Sequence, residues 1–156
     1  MKGQPEVIKE LNAALHAELT AIVQYLVQAE MCQNWGYGRL GDEIKKQAID
    51  EMHHAEGLIE RLLFLDSVPV VAIGIQPKLS GNVKALLEDN LVAEKDAVRQ
   101  YNKAVEVCDK KGDAGTREMF EHMVKDEEKH TDHLEAQLHS IGEVGIANWL
   151  AQQVKS

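Results

Sequence analysis

The chain has 156 residues, a formal net charge of -9 at pH 7, 4% aromatic residues and three prolines. That length, 1-156, is one domain with room for a real core, and its many Ala, Leu, Glu and Lys residues favour helix over sheet. The acidic surplus, with a pI near 5.2, works against nucleic acid or an anionic membrane as the main partner and suits cations.

Met1-Lys2-Gly3-Gln4-Pro5-Glu6 leads straight into a charged amphipathic segment without an apolar signal region. A first helix is expected from about Pro5 to Gln33, where Leu11, Leu15, Glu18, Ile22, Tyr25 and Ala29 recur in steps of three and four. Glu18 thus occupies a position that packing would give to an apolar side chain. Asn34-Trp35-Gly36-Tyr37-Gly38 and Gly41 break the pattern. A second helix follows from about Asp42 to Leu65, with the seam Ile44, Ala48, Glu51, Ala55, Leu58 and Leu62. The midpoint of Glu18 and Glu51 falls at Asn34 and Trp35, so an antiparallel hairpin brings both carboxylates to one height.

Residues 66 to 81, with Pro69, Gly74, Pro77 and Gly81 around Val70-Val71-Ala72-Ile73, form an extended connection. The run Val68 to Ile75 is far too short to span a bilayer. Fully stretched, the connection reaches on the order of 50 Å, enough to travel the length of a helix of about 25 residues. A crossover that starts the third helix at the opposite end is therefore expected.

The third helix, about Asn82 to Lys111, has the seam Val83, Leu87, Leu91, Glu94, Val98, Tyr101 and Val105. Lys110-Lys111-Gly112-Asp113 supplies a stop and a fresh N-cap at the midpoint of Glu94 and Glu127. The fourth, about Ala114 to Ile141, carries Phe120, Val124, Glu127, Thr131, Leu134 and Leu138. After Gly142 and Gly145, Ile146 to Val154 can form a short fifth helix, too short to stand alone. Its Trp149 and Leu150 call for a docking surface, a second subunit among the candidates.

The two halves repeat one polar framework. Asp50-Glu51-Met52-His53-His54 returns 76 positions later as Asp126-Glu127-Glu128-Lys129-His130, Glu18 as Glu94, Tyr25 as Tyr101 and Cys32 as Cys108. A Glu and a His three apart on a helix can reach one point. Four glutamates on inner seams would cost several kcal/mol each if charged and unpaired. Two divalent cations neutralise them, with Glu18, Glu51, Glu94 and Glu127 as carboxylate donors and His54 and His130 as nitrogen donors. Chance Glu-x-x-His pairs explain one copy; they do not explain two copies with matched upstream glutamates, all on seams. A carboxylate and imidazole set without thiolate suits iron or manganese and accepts zinc.

Tyr25 and Tyr101, one heptad beyond Glu18 and Glu94, are either plain core tyrosines or hydroxyl donors to a ligand carboxylate. Asp50 and Asp126, each four before a candidate ligand His, are either solvated or hold an imidazole N–H. Met52 points off the seam and reads as a partly exposed apolar residue at an interface. His16, His53, His122, His133 and His139 have no ligand pattern and read as surface or internally satisfied histidines. Two cysteines are too few for a disulfide framework, so Cys32 and Cys108 are expected as free thiols of a reducing, cytoplasmic compartment.

On these residues the sequence resembles the bacterioferritins, haem-binding members of the ferritin-like superfamily, along nearly its whole length: from Met1-Lys2-Gly3, through Ile49-Asp50-Glu51-Met52-His53-His54-Ala55-Glu56, to Ile146-Ala147-Asn148-Trp149-Leu150. The resemblance implies an all-α ferritin-like four-helix bundle with a long crossover between helices two and three and a short fifth helix. It implies that the six donors form a di-iron ferroxidase centre, Glu51 and Glu127 bridging and Glu18 and Glu94 terminal. There Fe(II) would be oxidised by O2 or H2O2 and stored as ferric mineral in a hollow 24-subunit shell of twofold dimers. It reverses the reading of Met52, which falls on the methionine that ligates haem iron together with its twofold copy. The haem, haem b or a related iron porphyrin, would assist iron release, with a ferredoxin-type reductant as electron source.

One departure stands out. Some members carry histidine at the position of Lys46, where with Asp50 it makes an inner-surface iron site; a protonated lysine is a poor ligand there. Rival activities on the same bundle are a di-iron peroxidase of the rubrerythrin kind, a dimanganese catalase, or a haem-bearing structural shell subunit. The absence of Cys-x-x-Cys pairs counts against the rubrerythrin kind, and the complete donor set against the structural subunit.

Overall fold

The helical periodicity becomes five helices in the computed structural model, which describes residues 1–72 and 76–155. They are α1 (Pro5–Asn34), α2 (Gly38–Phe64), α3 (Val83–Lys110), α4 (Ala114–Val144) and α5 (Ile146–Ala151), with no strand among the described residues. Pro5 starts α1, where its missing N–H is no loss. Asn82 caps α3 by accepting from Ala85 N at 2.9 Å, and Asp113 caps α4 by accepting from Thr116 N at 3.0 Å.

Three boundaries differ from the periodic reading. α2 begins four residues earlier than Asp42, because Gly38 and Gly41 are helical. A Cβ at Gly41 would lie 2.9 Å from the Ala29 carbonyl oxygen, so glycine there lets α2 lie against α1 rather than marking a break. α4 runs through Gly142 to Val144, and α5 stops at Ala151 rather than Val154.

The α2 seam is buried at Ile44, Ala48, Glu51, Ala55, Leu58 and Leu62 alike. Each fully covered leucine of that row contributes roughly 1.5–3 kcal/mol. The apolar core falls into two clusters. One, around Leu11, Leu15, Leu58, Leu62 and Phe120, fills the end of the bundle that holds the start of α1. The other, around Leu40, Ile44, Leu86, Leu87 and Leu134, fills the opposite end.

After α2 returns to the start of α1, where Gly3 N donates to Leu65 O at 3.1 Å, the connection travels back along α1. Val70 N donates to Asn12 Oδ1 at 2.9 Å and Lys78 N to Gln24 Oε1 at 3.0 Å, a progress of twelve residues along the helix. The crossover is therefore real, and α3 starts at the end where α1 stops; the Ile73 and Gly74 part of the expected connection lies outside the described residues. Gln24, Gln28 and Asn90 form a buried amide cluster that ties this strap to α1 and α3, each hydrogen bond between them 2.9 Å long. Asn90→Ala is expected to destabilise the protein by about 2–3 kcal/mol, since two buried amides lose partners at once; a denaturant melt against wild type reads it.

Gly145, at φ 82 and ψ 150, holds a backbone region that only glycine enters freely. It swings α5 back across the start of α2, where Arg39 N donates to Gln153 O at 2.9 Å. Trp149 is buried against the Leu40 cluster. The chain's own Leu40 cluster thus supplies a docking surface for Trp149. No described helix is long and apolar enough to cross a membrane.

Candidate dinuclear metal centre

Between the two apolar clusters lies a polar layer. Glu18, Glu51, Glu94 and Glu127, one from each long helix, are each no more than 2% exposed. His54 and His130 stand at its edge. His54 Nδ1 lies 3.5 Å from Glu18 Oε1, 3.2 Å from Glu51 Oε2 and 3.1 Å from Glu127 Oε1. His130 Nδ1 lies 3.2 Å from Glu51 Oε1, 3.5 Å from Glu94 Oε1 and 3.5 Å from Glu127 Oε2. Two four-residue groups result, Glu18, Glu51, His54 and Glu127, and Glu51, Glu94, Glu127 and His130, each with donor atoms within 4.8 Å of one another. Glu51 and Glu127 belong to both.

Glu18 Oε2, Glu51 Oε1, Glu94 Oε2, Glu127 Oε1 and His130 Nδ1 are buried without a hydrogen-bond partner. His130 Nδ1 and Glu51 Oε1 are close but not aligned for a bond. Each such buried orphan costs about 1–3 kcal/mol, and the five face one volume in groups that could hold metal ions. The donor set of carboxylate oxygens and imidazole nitrogens matches first-row divalent ions.

The charges respond accordingly. Burial, reinforced by Glu18, raises the Glu51 carboxyl well above its ordinary value, and burial pushes Glu94 up to about 8. Burial alone would raise Glu127 too, but the neighbouring Glu94, His130, His54 and Glu51 side chains outweigh it and hold Glu127 low. Burial disfavours the imidazolium of His54 and His130, yet the surrounding carboxylates outweigh it and raise both. Without metal the site keeps protons that a cation would displace.

The tyrosines and aspartates reach this layer across the bundle. Tyr25 donates to Glu94 Oε1, and Tyr101 donates to Glu18 Oε1. A heptad is about 10.5 Å of axis, too far for either hydroxyl to return to the glutamate of its own helix; the antiparallel pairing of α1 and α3 brings each to the other's. His54 Nε2 bonds Asp126 Oδ2 at 2.8 Å, and His130 Nε2 faces Asp50 Oδ2 at 3.4 Å. Each aspartate therefore faces the histidine of the opposite helix, because a ring that turns Nδ1 inward aims Nε2 at its neighbour. Burial, then Glu94 for Tyr25 and Glu18 for Tyr101, raises both phenols well above their usual range, so they stay protonated donors.

On the α1–α3 side the centre opens into a cavity of about 350 Å³ whose lining includes Ala13, His16, Ala17 and Ala21 of α1 and Ala93, Asp96 and Ala97 of α3. His16 was expected at the surface or satisfied; its Nε2 is buried without a partner. The sequence signal was the alanine stripe at four-residue spacing beside it, which removes the side chains that would have filled the space. The four other histidines set aside are exposed, each near a carboxylate: His53 by Glu56, His122 by Asp126, His133 by Glu43 and His139 by Glu143. Met52 is not drawn into the layer. It is 43% exposed on the outer side of α2, with Ile49, one turn before it, 42% exposed. Cys32 and Cys108 are buried free thiols that burial pushes up to about 11.

Comparison with known proteins places this geometry. Residues 8–144 match the family model of the ferritin-like domain. A bacterioferritin of Brucella melitensis biotype 1 is 40% identical over 145 residues, covering 93% of this chain and 90% of that one. A bacterioferritin of Mycolicibacterium paratuberculosis is 36% identical over 154 residues, covering 99% and 97%. A solved structure of Rhodobacter capsulatus bacterioferritin, described with a metal-free dinuclear site and a haem iron in a crystallographic special position, superposes with a TM-score of 0.98 at 34% identity, covering 100% of this chain and 98% of that one. With relatives 36% and 40% identical along nearly the whole chain and the same fold in a solved member, the chain belongs to the bacterioferritin family of ferritin-like proteins.

Proposed function

We propose that the chain is a cytoplasmic iron-storage ferroxidase: its substrate Fe(II) is oxidised by O2 or H2O2 in the polar layer and the ferric product is kept in a hollow shell of 24 copies. The observation that carries this is the set of five buried, partnerless donor atoms converging from four helices. Two Fe(II) ions held side by side can supply two electrons to one oxidant.

The residues divide that work. Glu18 and His54 serve one metal position and Glu94 and His130 the other, while Glu51 and Glu127 are common to both and hold the pair together. Arrival of the cations releases the protons kept on Glu51, Glu94 and the Nδ1 atoms. Asp126 accepts from His54 Nε2, fixing the tautomer that leaves Nδ1 free as a donor, and Asp50 is placed to do the same for His130. Tyr25 and Tyr101 occupy one oxygen each of Glu94 and Glu18, which leaves the second oxygen of each aimed at the metal position.

A haem fits the outer face of α2. Met52 exposes a thioether beside exposed Ile49, and Met52 from each of two copies would hold the iron of one haem at a twofold axis. Met52→Leu is expected to lose the haem absorption band of the purified shell while Fe(II) oxidation continues; a retained band clears Met52 of the role.

The function is tested by adding excess Fe(II) to the purified protein in air and following ferric absorbance and iron per shell. A mineral core formed faster than in buffer is expected, and Glu18→Ala or His130→Ala should slow the rapid phase in an intact shell. Oxidation at the uncatalysed rate would refute the reading.

A further inference from the structure

One imidazole outside the six donors is joined to them through a single carboxylate. His122 Nε2 lies 3.5 Å from Asp126 Oδ2, and that same oxygen accepts from His54 Nε2 at 2.8 Å. The two residues stand four apart on α4, so both project from one face of the helix. The His122 side chain is 75% exposed and Asp126 27%.

The 76-residue repeat gives the comparison that makes this pair informative. The counterpart of Asp126 is Asp50, which faces His130, and the counterpart of His122 is Lys46. Both halves place a carboxylate behind a centre histidine, but only the second half adds an imidazole one turn before it. A lysine ammonium has no lone pair to offer a metal; a neutral imidazole does.

An ordinary exposed His–Asp pair spends side-chain entropy to form any site. Here Asp126 is already held by His54, with its Oδ1 still free of any hydrogen bond to another side chain among the described residues, so only His122 has to be ordered. Nitrogen and oxygen donors each about 2.1 Å from one ion are compatible with the observed 3.5 Å separation. We propose that His122 and Asp126 form a third divalent-metal site on the α2–α4 face, weaker than the dinuclear centre, with water completing the coordination of Fe(II) or a similar first-row ion. Its use as a waiting place for iron beside the centre rests on the ferroxidase reading; its donors do not. The pair lies on the α2–α4 side of the centre, opposite the cavity between α1 and α3.

Cobalt(II) is the probe, read by calorimetric stoichiometry on the metal-stripped shell and by anomalous scattering from soaked crystals. Wild type is expected to bind three Co(II) per chain, the third most weakly, with an anomalous peak beside His122. His122→Ala should bind two, and Lys46→His, which recreates the pair with Asp50, should bind four. A Glu18→Ala, His130→Ala double variant should empty the centre and keep the His122 peak, so failure of the centre and failure of the third site read out separately. Retention of all three ions by His122→Ala, or a wild type that shows no peak at His122, overturns the proposal. Because His122 is exposed, its removal leaves the fold intact, which circular dichroism verifies.

Discussion

Glu51→Gln is expected to slow the rapid phase of Fe(II) oxidation by about 100-fold or more while leaving the metal-free protein as stable as wild type. The loss follows from position: Glu51 belongs to both donor groups, so its replacement weakens both metal positions at once. Even residues that only orient a metal ligand typically change affinity or activity by 10–100-fold, and a shared ligand should matter more. The stability half follows from electrostatics. Burial and Glu18 raise the Glu51 carboxyl well above its ordinary value, which favours its neutral acid form in the metal-free site. Glutamine is nearly isosteric with that acid, and the change should stay within about 1 kcal/mol. Stopped-flow oxidation together with chemical denaturation of the stripped shell checks both halves. A variant that oxidises iron at the wild-type rate would remove Glu51 from the centre, and one that is several kcal/mol less stable would show that its charge matters to the empty fold.

Stability should fall as pH rises in the stripped protein and not in the loaded one. Glu94 has its folded pKa raised from 4.5 to about 8. A raised pKa means that the folded state holds the proton more tightly than the unfolded chain. The resulting stabilisation is complete below about pH 4.5 and is lost as pH climbs through about 8, at roughly 1.4 kcal/mol per pH unit within that window. Glu51, His54 and His130 are raised too and act with the same sign. Glu127 is lowered, so its contribution fails only as pH drops below 4.5. Melting temperature under chelation should therefore decline from pH 5 to pH 9. With Co(II) or Zn(II) present the cations replace the protons, and they bind better at higher pH where fewer protons compete. A chelated melting temperature that is flat or rising over that range contradicts the protonated, cation-seeking layer.

The seams were legible because a helix that buries one stripe must write it at three- and four-residue intervals, and a glutamate in that stripe is conspicuous. Glu18, Glu51, Glu94 and Glu127 could be located this way, and the hairpin midpoints matched their heights. His16 escaped because the alanine stripe beside it, Ala13, Ala17 and Ala21, borders a void only once Ala93 and Ala97 of α3 are brought against it. Gln24, Gln28 and Asn90 escaped for a similar reason: amides flanking a seam look solvated until a crossover strap and a third helix cover them. Gly41 read as a break, yet glycine also serves where two helices approach closely, and only the 2.9 Å approach of Ala29 O separates the two meanings.

By itself, then, the sequence determined the helical class, the crossover, the repeat and the six candidate donors that the structure brings together, because periodicity and spacing are properties of a single helix or of a pair joined by a short turn. The tertiary structure decided what touches what across the bundle. It put Tyr25 on Glu94 and Tyr101 on Glu18, turned His54 to Asp126 rather than Asp50, and laid α5 against its own chain. Those pairings depend on the rotation and antiparallel register of helices far apart in sequence, which no spacing along one helix encodes.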